Sequence, residues 1–126
     1  MSLRTDRVRA IGIFKARATL TPEQLRELAM KNVATLKQLP IIEENLLKYE
    51  VSFKTEQPSG TLASEIGLRE TDFSIMILIE AVSHEKIRAT VTHESYRKLL
   101  AGALEHITTL EDFHFFPAEF VTVLDK

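Results

Sequence analysis

The sequence contains no cysteine and no tryptophan, and only four of its 126 residues are glycine. Without cysteine the chain can form no disulfide, no thiolate metal site and no cysteine nucleophile, a composition that fits a reducing compartment. The glycines form no phosphate-binding loop, and no serine lies in the G-x-S-x-G turn of the hydrolases. The usual sequence signals of a cofactor site or a nucleophilic enzyme are therefore absent, and we expect no cofactor.

An excess of positive charge is also absent. Lys and Arg total 16 against 18 Asp and Glu, which gives a formal net charge of −2, and the basic residues form no block. Nucleic-acid binding is therefore not expected. The four histidines, His84, His93, His106 and His114, show neither H-x-x-x-H nor H-x-E spacing, so no metal site is predicted.

Long hydrophobic runs are missing as well. The longest lie near residues 75–79 and 113–117, far below the roughly 20 residues that span a bilayer. The N-terminal residues are polar and show no secretion signal. We therefore expect a cytoplasmic protein that does not bind membranes.

The sequence does show a clear order of helices and strands. Alternating apolar residues predict strands at 8–14 and 47–53, and a run that is apolar on both faces predicts a central strand at 73–82. A fourth strand is predicted at 120–124, after the aromatic stretch 113–117. Thr21, Pro22 and Gln24 form a capping box that begins a helix over 22–39, and Pro40 ends it. A second helical region is predicted to break near residues 90–92, with Ser83 capping its first part and Thr92 its second.

The connection at 55–71 contains Pro58, Ser59 and Gly60, and it has room for one helical turn at 63–66. The whole order predicts an α+β, ferredoxin-like βαββαβ domain with a four-stranded antiparallel sheet over residues 1–126. Two helices can cover only one face of such a sheet, yet its first, third and fourth predicted strands are apolar on both faces. We therefore expect a homodimer in which two sheets pack against each other as a barrel.

Several short motifs resemble those of the dimeric α+β barrel superfamily: Leu39-Pro40, Lys48-Tyr49-Glu50, and the segment from Thr92 to Leu100. Residues 81–100 are similar to the stress-responsive barrel family, and residues 20–53 are similar to EthD-type proteins. The chain departs from both families. Leu28-Ala29-Met30 and Val33-Ala34 are apolar where EthD-type proteins carry a His-Trp pair. His93 falls on the first histidine of the stress-responsive family, but Tyr96 stands at its second and Thr90 at its tyrosine.

A pocket enclosed by the barrel would draw polar residues from the second strand, the third strand and the helix break: Lys48, Glu50, Ser52, Ser74, Glu80, His93 and Tyr96. His93 could act as a general base while Tyr96 polarises a carbonyl group. Alternatively, His93 only caps its helix. Glu80 could be a base in an apolar strand, or it could lie at the exposed end of that strand.

Ligand binding is predicted for Lys48, Glu50, Ser52 and Phe116. Lys48 and Glu50 could instead be solvated or paired across the dimer. Phe113, Phe115 and Phe116 could form a lid over a ligand, but such a cluster is more typical of a core or a dimer interface, and we favour the interface.

Two functions remain open from the sequence. The first is a stress-responsive or EthD-like dimeric barrel that binds a small apolar ligand. The alternative is a cofactor-independent enzyme, of cyclase, isomerase or monooxygenase type, that acts on an aromatic or polyketide-like substrate.

Overall fold

A computed structural model describes residues 2–55 and 61–126. Strands and helices alternate much as the sequence predicts. The elements in chain order are β1 (Val8–Phe14), α1 (Pro22–Lys37), α2 (Pro40–Asn45), β2 (Lys48–Phe53), α3 (Thr61–Glu65), β3 (Ile75–Ala81), α4 (His84–Val91), α5 (Glu94–His106) and β4 (Phe113–Ala118).

The four strands form one antiparallel sheet in the order β2-β3-β1-β4. β1 and β3 are the central strands, and Ala10 lies opposite Ile79 on one side and Pro117 on the other. This order is the one expected for two interleaved βαβ units. The predicted ferredoxin-like α+β fold is therefore confirmed.

The start of α1 follows from the capping box. The Thr21 side chain accepts a hydrogen bond from the Gln24 backbone N–H at 3.2 Å, and the Gln24 side chain accepts one from the Thr21 N–H at 2.9 Å. The helix ends at Lys37, two residues before the predicted end. Pro40 follows α1 and is also the first residue of α2. In the first turn of a helix the backbone N–H has no partner within the helix, so proline is tolerated there.

The predicted break in the second helical region is confirmed, because α4 ends at Val91 and α5 begins at Glu94. Ser83 caps α4 as expected, with its hydroxyl accepting from the Lys86 N–H at 3.2 Å. The prediction that Thr92 caps α5 is wrong. Its hydroxyl donates to the Arg88 carbonyl at 2.6 Å in the preceding turn, and His93 is the N-cap instead.

The prediction of the last strand at 120–124 is also wrong, since β4 is the aromatic segment Phe113–Ala118. Pro117 argues against a strand in the middle of a sheet, but β4 is an edge strand, where a missing N–H is tolerated. Residues after β4 fold back towards the N-terminal segment. The Arg4 N–H donates to the Phe120 carbonyl at 2.8 Å, and the Arg9 guanidinium lies 3.7 Å from the centre of the Phe120 ring.

The long connection between β2 and β3 contains the short helix α3, close to the predicted turn at 63–66. Pro58, Ser59 and Gly60, which helped to predict that connection, lie outside the described residues. Across the described segments, no helix is both long and apolar enough to cross a membrane.

The two faces of the sheet have different surroundings. On one face, α1 and α5 pack on Phe14 and Ile75, and α4 packs through Ile87 on Ala10 and Ile79. The opposite face carries an apolar strip, which we call the open face: Ile11, Ile13, Met76, Leu78 and Phe116. Met76 and Phe116 are 40% and 45% exposed there, so this apolar surface is available for contact with another molecule.

Gly12 provides a test of the packing between β1 and β4. A Cβ atom at this position would lie 3.2 Å from Cε1 of Phe113, and Phe115 and Ile77 are also close. We expect Gly12→Val to lower the free energy of unfolding by about 1 to 3 kcal/mol, because the larger side chain would overpack this site. Chemical denaturation would measure the change.

Gly102 offers the matched control. It lies inside α5, and an added Cβ would meet no heavy atom within 4 Å. Gly102→Ala should raise the free energy of unfolding by about 0.5 to 1 kcal/mol, because alanine favours the helix. Equal stability of the Gly12→Val variant and the wild type would contradict the described packing of β1 on β4.

Candidate functional site

A cavity of about 270 Å³ lies between α5 and β4 on the helix-covered side of the sheet. Its lining is apolar except for one hydroxyl group, and the residues are Val91, Tyr96, Leu100, Leu104, Leu110, Phe113 and Phe115. Leu110 and Phe115 are 77% and 46% exposed, so the cavity opens to solvent on their side. We call it the α5–β4 cavity.

A second and smaller cavity, of about 70 Å³, lies between α1, α5 and the β2–β3 half of the sheet. Leu36, Tyr49 and Leu99 are among its lining residues. Its volume is well below the roughly 300 to 1,000 Å³ that is usual for ligand pockets. It is therefore too small for an organic ligand unless its walls move.

A hydrogen-bonded pair of tyrosines lies between the two cavities. Tyr49 of β2 lines the smaller cavity and Tyr96 of α5 lines the larger one, and their hydroxyl oxygens lie 3.0 Å apart. These are the two tyrosines of the whole chain. Tyr96 is buried, at 8% exposure, and Tyr49 is half-buried. The pair thus places hydroxyl groups at the border of an otherwise apolar cavity.

Tyrosines are protonated at neutral pH, and the environment of the pair favours the protonated form of both phenols further. Removal from water raises the pKa of Tyr49 well above its ordinary value, and the charge and hydrogen bond of Tyr96 raise it further. Removal from water also raises the pKa of Tyr96, although the hydrogen bond from Tyr49 acts in the opposite direction. Neutral tyrosines can donate hydrogen bonds to a ligand, but they do not act as bases.

Of the predicted catalytic residues, Tyr96 is the one that reaches a cavity. His93 is exposed at the start of α5, where its Nδ1 accepts from the Ser95 N–H at 3.1 Å and lies 2.8 Å from the Ser95 hydroxyl. It lines neither of the two cavities. This placement favours the capping alternative, and a catalytic role for His93 remains a prediction.

Glu80 is buried, at 1% exposure, so the alternative of an exposed strand end is wrong. Its carboxylate lies 3.7 Å from Nη1 of Arg7, 3.5 Å from Nε of Arg9 and 3.5 Å from Nζ of Lys48. Three cations therefore surround it on the face of the sheet opposite the helices. These ion pairs link the N-terminal segment to β1, β2 and β3, and they explain the burial of Glu80 by a structural role.

The predicted ligand-binding residues lie on the other face of the sheet from Tyr96. Side chains alternate along each strand, and Tyr49 and Val51 of β2 face the helices. Lys48, Glu50 and Ser52 consequently point to the opposite face, as does Phe116 next to the inward-facing Phe115. The structure does not bring these residues together with His93 or Tyr96, and their ligand-binding role remains a prediction.

Sequence reasoning missed Tyr49 and the walls of the α5–β4 cavity. The sequence does contain a signal for Tyr49. It occupies an apolar position of an alternating strand, where a buried tyrosine hydroxyl needs a hydrogen-bond partner. The prediction that Phe113, Phe115 and Phe116 together form a dimer interface is wrong for the first two, because the alternation of β4 points Phe113 and Phe115 to the helix side and Phe116 to the open face. Ser74 has a structural role, since its hydroxyl accepts from the Ala16 N–H at 3.0 Å.

Comparisons with known proteins find likeness in structure only. No protein-family model and no curated protein matches this chain. A dimeric protein of unknown function with a ferredoxin-like fold, from Bacteroides fragilis, superposes with a TM-score of 0.67 at 18% identity, covering 94% of this chain and 100% of that one. An EthD family protein from Bacillus halodurans has a TM-score of 0.65 at 13% identity, with coverage of 91% and 99%.

The hydroxynitrile lyase of Passiflora edulis also superposes, with a TM-score of 0.65 at 9% identity and coverage of 97% of this chain and 100% of that chain. The chain has a ferredoxin-like fold. At these identities the likeness concerns the fold alone. In fold, the chain resembles a dimeric ferredoxin-like protein and an EthD family protein, as the sequence predicts.

The two tyrosines allow a direct test of the described pair. Absorbance titration should show both phenols ionising above pH 10, because both pKa values are raised. In Tyr96→Phe, the pKa of Tyr49 should fall, because the neighbouring charge and hydrogen bond are lost, yet it should stay above its ordinary value. The stabilisation from the neutral pair is fully present below pH ~10 and is lost as the pH rises through the folded-state pKa values.

Titration of the unfolded chain in denaturant is the control, and it should give an ordinary tyrosine pKa near about 10 for both residues. If the folded protein titrated like the unfolded chain, the tyrosine pair would not exist in solution.

Proposed function

We propose that this chain forms a homodimer through its open face and that each copy binds a small, neutral, apolar molecule in the α5–β4 cavity. The observation that carries the ligand proposal is this cavity of about 270 Å³, whose apolar lining is interrupted by the hydroxyl of Tyr96. Ligand sites typically combine apolar walls with a few polar groups that fix orientation.

The size and charge of the cavity restrict its ligand. Ligand pockets are usually about 300 to 1,000 Å³, so this one suits a molecule at the small end of that range. None of its lining residues carries a charge. Because an ion without a partner is costly to bury, a neutral ligand is favoured.

The open face supports the dimer. Leaving each large apolar side chain in water forgoes about 1.5 to 3 kcal/mol of burial free energy, and a second copy would cover five such residues at once. Similar structures are also described as dimeric, among them those from Bacteroides fragilis and Thermobifida fusca. We propose the same assembly for this chain, within an EthD-like or stress-responsive type of barrel and in the cytoplasm.

A charge on the open face should break the dimer. Phe116→Glu places a carboxylate in the proposed interface, so we expect the mass measured by light scattering to fall from two chains to one at micromolar concentration. Met30→Glu is the matched control, because Met30 is 54% exposed on α1, on the other side of the sheet. If both variants had the mass of two chains, the dimer interface would lie elsewhere on the protein.

Filling the α5–β4 cavity should abolish ligand binding. Methylenecyclohexane is a suitable neutral probe, and ligand-detected NMR would measure its affinity. We expect Leu104→Trp to remove the binding, because the indole would occupy the cavity, whereas Met30→Glu should bind as the wild type does. Circular dichroism would verify that Leu104→Trp folds. Unchanged affinity in a folded Leu104→Trp protein would exclude this cavity as the site.

The alternative, a cofactor-independent enzyme, is favoured by one observation: the tyrosine pair could polarise a substrate carbonyl. A structural neighbour is a hydroxynitrile lyase, although the likeness is one of fold. Proton abstraction would also need a base. The lining residues of the α5–β4 cavity include none, and Tyr49 and Tyr96 stay protonated at neutral pH. Binding therefore accounts for the cavity better than catalysis does.

A further inference from the structure

The tyrosine pair has one more hydrogen-bond donor than it uses. Each phenol has one O–H group, and a single hydrogen bond of 3.0 Å joins the two oxygens. One hydroxyl proton is therefore left over. Within residues 2–55 and 61–126, neither hydroxyl makes a second hydrogen bond to the protein.

The two directions of the Tyr49–Tyr96 bond have different consequences. If Tyr96 donated to Tyr49, the free proton would belong to Tyr49, which lines the cavity of about 70 Å³. If Tyr49 donates to Tyr96, the free proton belongs to Tyr96, which lines the cavity of about 270 Å³. In the second case the free O–H group faces the larger cavity, where an oxygen atom of a small organic ligand can accept its hydrogen bond.

We infer that the ligand of the α5–β4 cavity carries an acceptor-only oxygen, a carbonyl of a small ketone or aldehyde, and that the hydroxyl of Tyr96 donates to this oxygen while Tyr49 donates to Tyr96. This inference rests on the proposed ligand-binding function and narrows its ligand class. Tyr96 touches the ligand, and Tyr49 is a positioning residue that sets the direction of the Tyr96 proton.

The chemistry of the lining favours a carbonyl over an alcohol. A hydroxyl on the ligand would bring its own proton into a cavity whose other lining side chains are Val, Leu and Phe. Inside the cavity such a donor finds no hydrogen-bond acceptor on these side chains, and it loses its hydrogen bond to water. A carbonyl oxygen brings no donor, so one hydrogen bond from Tyr96 satisfies both groups.

Two probes of nearly equal shape test the inference. Cyclohexanone has a carbonyl group where methylenecyclohexane has a C=CH2 group. Their affinities would be measured by ligand-detected NMR for the wild type, Tyr96→Phe and Tyr49→Phe. The cost of removing each probe from water is common to the three proteins. It therefore cancels when the change caused by a substitution is compared between the probes.

We expect Tyr96→Phe to weaken cyclohexanone binding about fivefold or more while leaving methylenecyclohexane unchanged, because one hydrogen bond is lost. Tyr49→Phe should weaken cyclohexanone less, since Tyr96 can still donate. A second readout uses absorbance. With no tryptophan and two tyrosines in the chain, the band near 280 nm reports on this pair, and cyclohexanone should shift it in the wild type but not in Tyr96→Phe.

The outcomes separate this inference from the proposed function. If neither probe binds the wild type, the proposed function fails and the inference fails with it. If both probes bind but Tyr96→Phe changes their affinities equally, the cavity binds ligands without using the free donor, and the carbonyl assignment alone is overturned. A larger loss of cyclohexanone affinity in Tyr49→Phe than in Tyr96→Phe would overturn the assigned direction of the hydrogen bond.

Discussion

The alternation of side chains along the four strands is the constraint on which the rest of the structure depends. Because α1, α4 and α5 cover one face of the sheet, every second strand residue points towards the helices and its neighbours point away from them. The same alternation places Tyr49 under the helices and Lys48 and Glu50 on the opposite face. It therefore separates the proposed ligand cavity, on the helix side, from the open face proposed to bind a second copy.

Two groups of buried polar side chains lie on opposite faces of this sheet, and their chemistry differs. Glu80 is surrounded by Arg7, Arg9 and Lys48, so its charge is compensated and its contacts hold the N-terminal segment against the sheet. The tyrosine pair carries no charge at neutral pH and retains a free donor beside an apolar cavity. The first group fits a role in stability, whereas the second fits recognition of a neutral ligand.

Much of the fold could be predicted from the sequence, because capping and alternation are local. The Thr21 capping box, the helix break and the first three strands all follow from short stretches of sequence. The position of β4 could not be predicted locally, since Pro117 is acceptable only on an edge strand, and the strand order decides which strand that is. The candidate site was predicted less well. Tyr96 was identified, but alternation does not reveal which face the helices cover, so Lys48, Glu50, Ser52 and Phe116 were grouped with it.

The central claim is that the ligand site lies on the helix side of the sheet and not between the two sheets of a dimer. Intermolecular nuclear Overhauser effects between methylenecyclohexane and methyl-labelled protein would test this claim most directly. We expect contacts from the probe to the methyl groups of Leu100 and Leu104, and none to those of Ile11 and Ile13. Contacts to Ile11 and Ile13 of the open face, without contacts to Leu100 and Leu104, would contradict it.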